Sequence, residues 1–363
     1  MGNKIVILHD TFLYKWWWER LIIMMWKALK ADIASGFFSK WSFDLRKEWF
    51  KWKMISVSSE IFKKWFRHIK LKIAFLFNTG FLKKYDTVIF SWDCISAVRN
   101  CRKDQKKIYY CHTPPRYIYD LNDVYLWKIR SVFRPFFNFW FLLFKKLYER
   151  DIRKMDLILT NSQNTKDRIK KFLWLDAEIL YPPVDLDEFK FLKQKDYYLS
   201  FARLSTVKRV DRIVEAFKIL EDKKLVIIYW ENDPQRYDIM CLANWYKNIE
   251  FVTLPWNIWF TDYIGNCIAT IYIPINEDFW MSPVESMAAW KPVIWVNDWW
   301  LKESIVDWKT WILIDKDAKV DDIVKAVKKL WKKKCLEMRE DCENRAKDFS
   351  FEKFKSKLNN FVK

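Results

Sequence analysis

The chain has 363 residues, enough for two domains with separate cores, and carries a net charge of +19. Its seven Cys, at 94, 101, 111, 241, 267, 335 and 342, form no C-x-x-C pair, which argues against a disulfide framework or a zinc site and for reduced thiols in a cytoplasmic protein. No signal peptide is read at the start, and the most apolar stretch, Phe136–Phe144, is far short of the ~20 residues a membrane span needs.

The charge is uneven. Residues 1–190 hold 36 Lys and Arg against 20 Asp and Glu, and the remainder 29 against 26. A basic first half points to an anionic partner: a membrane surface, a phosphorylated substrate or nucleic acid. Composition is stranger still, with 24 Trp and only 4 Gly. About 25 Gly would be ordinary at this length. Trp stands in "FLWLDAEI", "LPWNIWF", "MAAWKPVI", "VNDWWLKESI" and "VDWKTWILID", which read as turns and helix ends. We therefore expect most of these Trp to be glycines, through a UGA codon that the source organism reads as Gly.

In chain order, "KIVIL" reads as a first strand, followed by the loop "HDTFLYKWWWER" and a helix. Trp16, Trp17 and Trp18 occupy a tight strand-to-helix turn that normally needs glycine. "MISVS", "DTVIFS", "KKIYYC" and "DLILTNS" read as further strands, apolar enough for a parallel sheet buried on both faces. Between the first two of these, Phe62, Phe66, Ile69 and Ile73 share one helical face with cations around it. That face suits an anionic membrane or, as we expect, ordinary packing on the core.

"YYCHTPPRYIYD" follows a strand and places His112, Arg116 and Asp120 in a strand-end loop, where α/β sheets put ligand groups. The break falls near residues 181–196, with two prolines and a charged run. Six more strands follow, "YYLSFA", "KLVIIY", "IEFVTL", "IATIYI", "KPVIWV" and "TWILI", with helices such as Asp211–Leu220 and Val320–Lys333 between them. The expected fold is α/β: two Rossmann-like, doubly wound domains with a cleft between them. The expected limits are 1–185, 186–345 and a C-terminal helix over 346–363 that packs back on the first domain.

In the second half, "FARLSTVKRVDR" ends a strand at Arg203 and opens a helix at Lys208, two cations that suit a diphosphate. In "NEDFWMSPVESMAAWKPVIWVNDWW", Ser282, Pro283 and Glu285 fit N-cap, N1 and N3, so Glu285 reads equally as a capping-box residue. Glu277, Phe279, Trp280, Met281 and the second glycine-type turn at Trp299–Trp300 are not explained by a cap. Helix N-termini and bare backbone N–H groups of this kind bind phosphates.

These stretches together resemble the retaining, family 4-type glycosyltransferases of the GT-B fold, in their mannosyltransferase-like branch. Seven residues separate Glu277 from Glu285, matching the family's E-x7-E spacing. "YKWWWER", read as "YKGGGER", resembles its G-G-x-E-R loop, and H-T-P-x-R-Y-x-x-D its mannosyltransferase segment. Ala202 and Arg209 depart from it, since Gly is common at both places.

The resemblance implies a hexose, in this branch mannose from GDP-mannose, moved with retention from a nucleotide-diphosphate sugar to a glycan or lipid-linked acceptor in cell-surface polysaccharide synthesis. Arg203 and Lys208 would hold the diphosphate and Glu285 the ribose. Glu277 would orient the donor sugar with His112 beside it. Trp17, Trp18, Phe279, Trp280, Met281, Ser282, Trp299 and Trp300 would line the donor, and Arg116 and Asp120 the acceptor or sugar. No cofactor or metal is expected. The expected location is cytoplasmic, peripheral on the inner face of the cell membrane, with no nucleic-acid partner. The alternatives are another GT-B enzyme, an epimerase or a glucan synthase, and a basic nucleic-acid-binding protein.

Overall fold

The computed structural model describes residues 3–14, 17–43, 53–60, 64–127, 129–253, 260–275, 281–297 and 310–363, with the side chains at 64–66 excepted. Two compact units emerge: Met1–Pro182 with Phe354–Lys363, and Pro183–Lys353.

The first unit is built on strands β1 (Ile5–His9), β2 (Asp32–Ser35), β3 (Met54–Ser56), β4 (Thr87–Ser91), β5 (Lys106–Cys111), β6 (Leu157–Thr160) and β7 (Glu178–Ile179). They form one sheet in the order β3-β2-β1-β4-β5-β6-β7, every pairing parallel. Helices α1 (Trp17–Leu29), α2 (Lys64–Phe77), α3 (Asn122–Trp127), α4 (Arg134–Ile152) and α5 (Gln163–Leu173) connect them. A 3-10 segment, Trp92–Asn100, follows β4. All five residues of β4 are buried, as a strand covered on both faces requires.

The second unit repeats the plan. Strands β8 (Tyr198–Ser200), β9 (Leu225–Tyr229), β10 (Ile249–Thr253), β11 (Thr270–Tyr272), β12 (Val293–Val296) and β13 (Trp311–Ile314) run parallel in the order β10-β9-β8-β11-β12-β13. Its helices are α6 (Val210–Ile219), α7 (Arg236–Ala243), α8 (Phe260–Asn266), α9 (Ser282–Ala288), α10 (Val320–Lys329), α11 (Lys332–Glu337) and α12 (Arg339–Ala346), and α13 (Phe351–Val362) ends the chain. Helix α10 shows why the sequence folds this way. Ile323, Val324, Ala326 and Val327 make a buried stripe, Asp321 and Asp322 sit in the first turn, and Lys328 and Lys329 in the last.

Each sheet grows outward in both directions from one central strand, so each has a switch point. These lie between β1 and β4 and between β8 and β11, and ligands of such sheets bind beyond the carboxyl ends of those strands.

All eleven strands expected from apolar runs are present, and β2 and β7 are additions. Several boundaries need correction. β8 stops at Ser200 rather than Arg203, and Lys208 belongs to a 3-10 turn, Thr206–Lys208, ahead of α6. The helix expected over Val320–Lys333 ends at Lys329. Trp311 is not in a turn: it opens β13 and is fully buried. Helix α2 packs through Leu71, Ala74 and Phe75, while Ile69 and Ile73, two of the four residues of the face picked out above, are exposed; the side chain of Phe66 lies outside the described residues. Phe62 lies outside the described residues.

Three Trp adopt left-handed backbone: Trp92 (φ 68°), Trp174 (φ 58°) and Trp290 (φ 59°). No described Gly has positive φ. An L-residue in this region costs roughly 1–2 kcal/mol, which is why glycine usually fills it.

Candidate functional site: the carboxyl edges of the two sheets

In the first unit the switch point carries a hydrogen-bonded chain of three side chains. His9 ends β1 and lies in register with Ser91, which ends β4. The His9 Nδ1 is 3.2 Å from Ser91 Oγ, and Ser91 Oγ is 2.9 Å from Nε2 of His112, the residue after β5. Both histidines are buried. Burial holds His9 down at about 3, and burial together with His9 holds His112 well below its ordinary value. Both imidazoles are therefore neutral at pH 7. They can exchange hydrogen bonds with hydroxyl groups but supply no positive charge. The backbone O of His112 accepts from Asn161 Nδ2 at 3.0 Å, which fixes the loop. Its Nδ1 is buried and has no hydrogen-bond partner.

Aromatic rings close over His112. Trp92 stacks on it (5.1 Å, 17°), Trp17 meets it edge-on at 5.5 Å, and Trp18 bridges Trp17 and Trp92 at 5.7 and 5.6 Å. Trp17 and Trp18 are the first two residues of α1, so the expected glycine-type turn carries indoles packed against the imidazole. The Trp92 Nε1–H is buried without an acceptor, which costs about 1–3 kcal/mol. Glu19, one residue on, is buried and pushed up to about 8 by desolvation, although backbone N–H groups of Leu13 and Tyr14 donate to it. It pins the loop to the helix. Asp10 is pushed up to about 7, first by burial and then by Asp93.

Arg116 and Asp120 do come together. Asp120 accepts from Arg116 at 3.1 Å and from Arg168 of α5 at 3.0 Å, a three-membered ion network that ties the loop after β5 to that helix.

In the second unit Lys208 and Arg203 both sit beyond the end of β8. Lys208 is buried, and its Nζ donates to Tyr272 Oη at 2.6 Å. Tyr272 is the last residue of β11, so this bond spans the switch point. The Arg203 Nε is 3.0 Å from Asp233 Oδ1, and Asp233 is itself fixed by the Trp230 N–H at 3.0 Å. The Arg203 side chain remains 35% exposed while the Asp233 side chain is fully buried. A tethered, accessible guanidinium suits an anion such as a diphosphate. Arg209, where glycine was expected, is left-handed (φ 53°), and its guanidinium donates to the carbonyls of Ile273, Pro274 and Lys316. Those bonds offset its strain.

Helix α9 corrects the capping-box reading. It starts at Ser282 with Met281 as N-cap, and no side chain caps it. Ser282 is buried, Glu285 half-buried, and the Ser286 hydroxyl donates back to the Ser282 carbonyl at 2.8 Å. Glu277, Phe279, Trp280, Trp299 and Trp300 lie outside the described residues, as does Trp16. Among the described residues no group of three or more His, Cys, Asp or Glu is placed to hold a metal. Sequence reasoning missed Tyr272 and Asp233, and also His9 and Ser91, which were visible as polar residues ending apolar strand runs.

Residues 185–349 match the model of the family described as glycosyl transferases group 1. The protein is a glycosyltransferase with a group 1 domain. The glycosyltransferase is 26% identical over 352 residues to the α-1,3/1,6-mannosyltransferase ALG2 of Dictyostelium discoideum, covering 82% of this chain and 79% of that one. To human ALG2 it is 27% identical over 260 residues, 62% of this chain and 59% of the human protein. Among solved structures, a glycosyltransferase from Rickettsia africae ESF-5 superposes with a TM-score of 0.75 at 15% identity, over 100% of this chain and 98% of that one. HepE of Anabaena, in complex with UDP, gives 0.73 at 12% identity over 99% of both chains. The fold of the glycosyltransferase is thus GT-B, and the matches support hexosyl transfer and do not favour the nucleic-acid-binding or epimerase readings.

Proposed function

We propose that the protein transfers mannose, with retention of configuration, from GDP-mannose to a glycan or lipid-linked acceptor, as a peripheral membrane enzyme. The observation that carries the reading is the Lys208–Tyr272 bond across the second switch point, with Arg203 beside it. The mannosyltransferase relatives supply the sugar. Negative charge builds on the leaving diphosphate, and fixed cations that need no reorganisation stabilise it there. Lys208 and Arg203 take that role. Glu285 binds the nucleotide ribose, and Glu277 orients the donor hydroxyls. His112, neutral and with a spare Nδ1, hydrogen-bonds the sugar or the acceptor hydroxyl, near Arg116 and Asp120 in the chain. The acceptor enters on the leaving-group side and passes its proton to the departing diphosphate, so the reaction runs without a resident metal.

We further infer that part of the Trp is glycine in the authentic polypeptide. The left-handed Trp92, Trp174 and Trp290 and the orphaned Nε1 of Trp92 and Trp311 support it. Glycine at 17, 18 and 92 opens the space over His112.

The test is transfer by the chain in its authentic composition, assayed with GDP-mannose, UDP-glucose and UDP-galactose. Mannose should move fastest. Transfer from a UDP-hexose alone overturns the donor assignment.

A further inference from the structure

Residues 122–147 run through α3, a 3-10 turn (Ser131–Phe133) and most of α4, and none of the described ones is buried. Yet 16 of these 26 residues are hydrophobic. Helix α4 buries only Tyr148, Asp151 and Ile152, near its carboxyl end. Upstream, Val132 is 75% exposed and Phe139 62%, with Phe133, Phe136 and Leu142 also open to solvent. An ordinary surface helix hides one apolar stripe and shows water a polar face. This segment instead exposes Phe133, Phe136, Phe139 and Leu142 to water and leaves Phe137 and Phe141 half-buried, and a contiguous apolar patch of that kind marks an interaction surface.

The same segment holds five cations and one carboxylate, Asp123. The Arg134 guanidinium lies over the Trp127 ring at 4.7 Å, and the Lys145 ammonium over Tyr119 at 5.3 Å. Lys72 of α2 lies over Phe144 at 5.1 Å, adding a cation from a neighbouring helix. Apolar rings ringed by cations are what the interface of an anionic bilayer accepts, the rings entering the acyl boundary and the cations meeting lipid phosphates. A second copy of the chain fits poorly, because a two-fold contact would set these cations against themselves. No described helix is long and apolar enough to cross a membrane, so the segment lies on the surface.

We propose that residues 122–147 dock the protein on an anionic lipid bilayer, through Val132, Phe133, Phe136, Phe139 and Leu142 with Lys145 and Lys146 at the rim. None of the five apolar groups is a Trp, so the docking face survives glycine at 127 and 140. That it serves a lipid-linked acceptor rests on the function proposed above; the docking itself does not.

The test is co-sedimentation of the full chain with vesicles of phosphatidylcholine, alone and mixed with phosphatidylglycerol. The parent binds the anionic vesicles. F136S/F139S/L142S loses at least tenfold in partitioning while its circular dichroism and its transfer to a water-soluble acceptor stay unchanged. K145Q/K146Q loses about 25-fold, since each cation near an anionic leaflet contributes about fivefold. A parent that ignores anionic vesicles, or a triple variant that binds as the parent does, overturns the proposal. So does a parent that dimerises without lipid while the triple variant stays monomeric, which assigns the face to a second copy. Vesicle binding without any hexosyl transfer would sink the functional reading and leave this one standing.

Discussion

Replacing Lys208 with Met removes one buried charge and keeps the length of the side chain. In the structure that ammonium is held 2.6 Å from Tyr272 Oη, at the place where β8 and β11 diverge. A charge-assisted hydrogen bond to a phosphate oxygen contributes about 1.5–3 kcal/mol, so kcat/KM should fall about 10- to 150-fold. Because the diphosphate gains charge only as the sugar leaves, most of the loss should sit in kcat. Tyr272→Phe leaves the ammonium but removes an acceptor that aims it, at about 0.5–1.5 kcal/mol or 2- to 12-fold. Steady-state release of nucleoside diphosphate reads both, with far-UV circular dichroism as the check on folding. A folded Lys208→Met enzyme within threefold of the parent refutes the diphosphate assignment.

Two further outcomes follow from backbone and burial. Trp174 caps α5 in the left-handed region and is 80% exposed, so Trp174→Gly should stabilise by about 1 kcal/mol over Trp174→Ala, which keeps the strained Cβ. Urea midpoints read this, and an Ala variant as stable as the Gly one would refute the strain. Glu19 titrates near 8 folded against about 4.5 unfolded, so the folded state holds the extra proton between those values and stability falls as pH rises. Glu19→Gln removes that loss, so its advantage over the parent should grow by about 1.4 kcal/mol per unit between pH 5 and 8; an advantage that is flat with pH contradicts the buried carboxyl.

The strands of both sheets were legible because parallel strands covered on both faces must be apolar throughout, and "DTVIFS" or "KLVIIY" has no other use. β2 escaped because "DIAS" is short and half polar, and β7 because two residues carry no period. The cations at 203 and 208 were legible from their flanks. Their partners were not, because Asp233 lies in the turn after β9 and Tyr272 ends β11, 30 and 64 residues away, and only the sheet order brings them in. His9 and Ser91 meet for the same reason, across 82 residues. The capping box failed because α9 begins one residue early, with Met281 rather than Ser282 outside the helix. The run Phe136–Phe144 was legible as apolar and too short to span a membrane; only the structure shows that α4 buries no residue before Tyr148.

The most direct measurement is the anomeric configuration of the hexose in the product, read by NMR after transfer from an α-linked nucleotide donor. Attack from the side of the departing diphosphate gives an α-glycoside. A β-glycoside, or free hexose released with no glycoside formed, would contradict retaining transfer by attack on the leaving-group side.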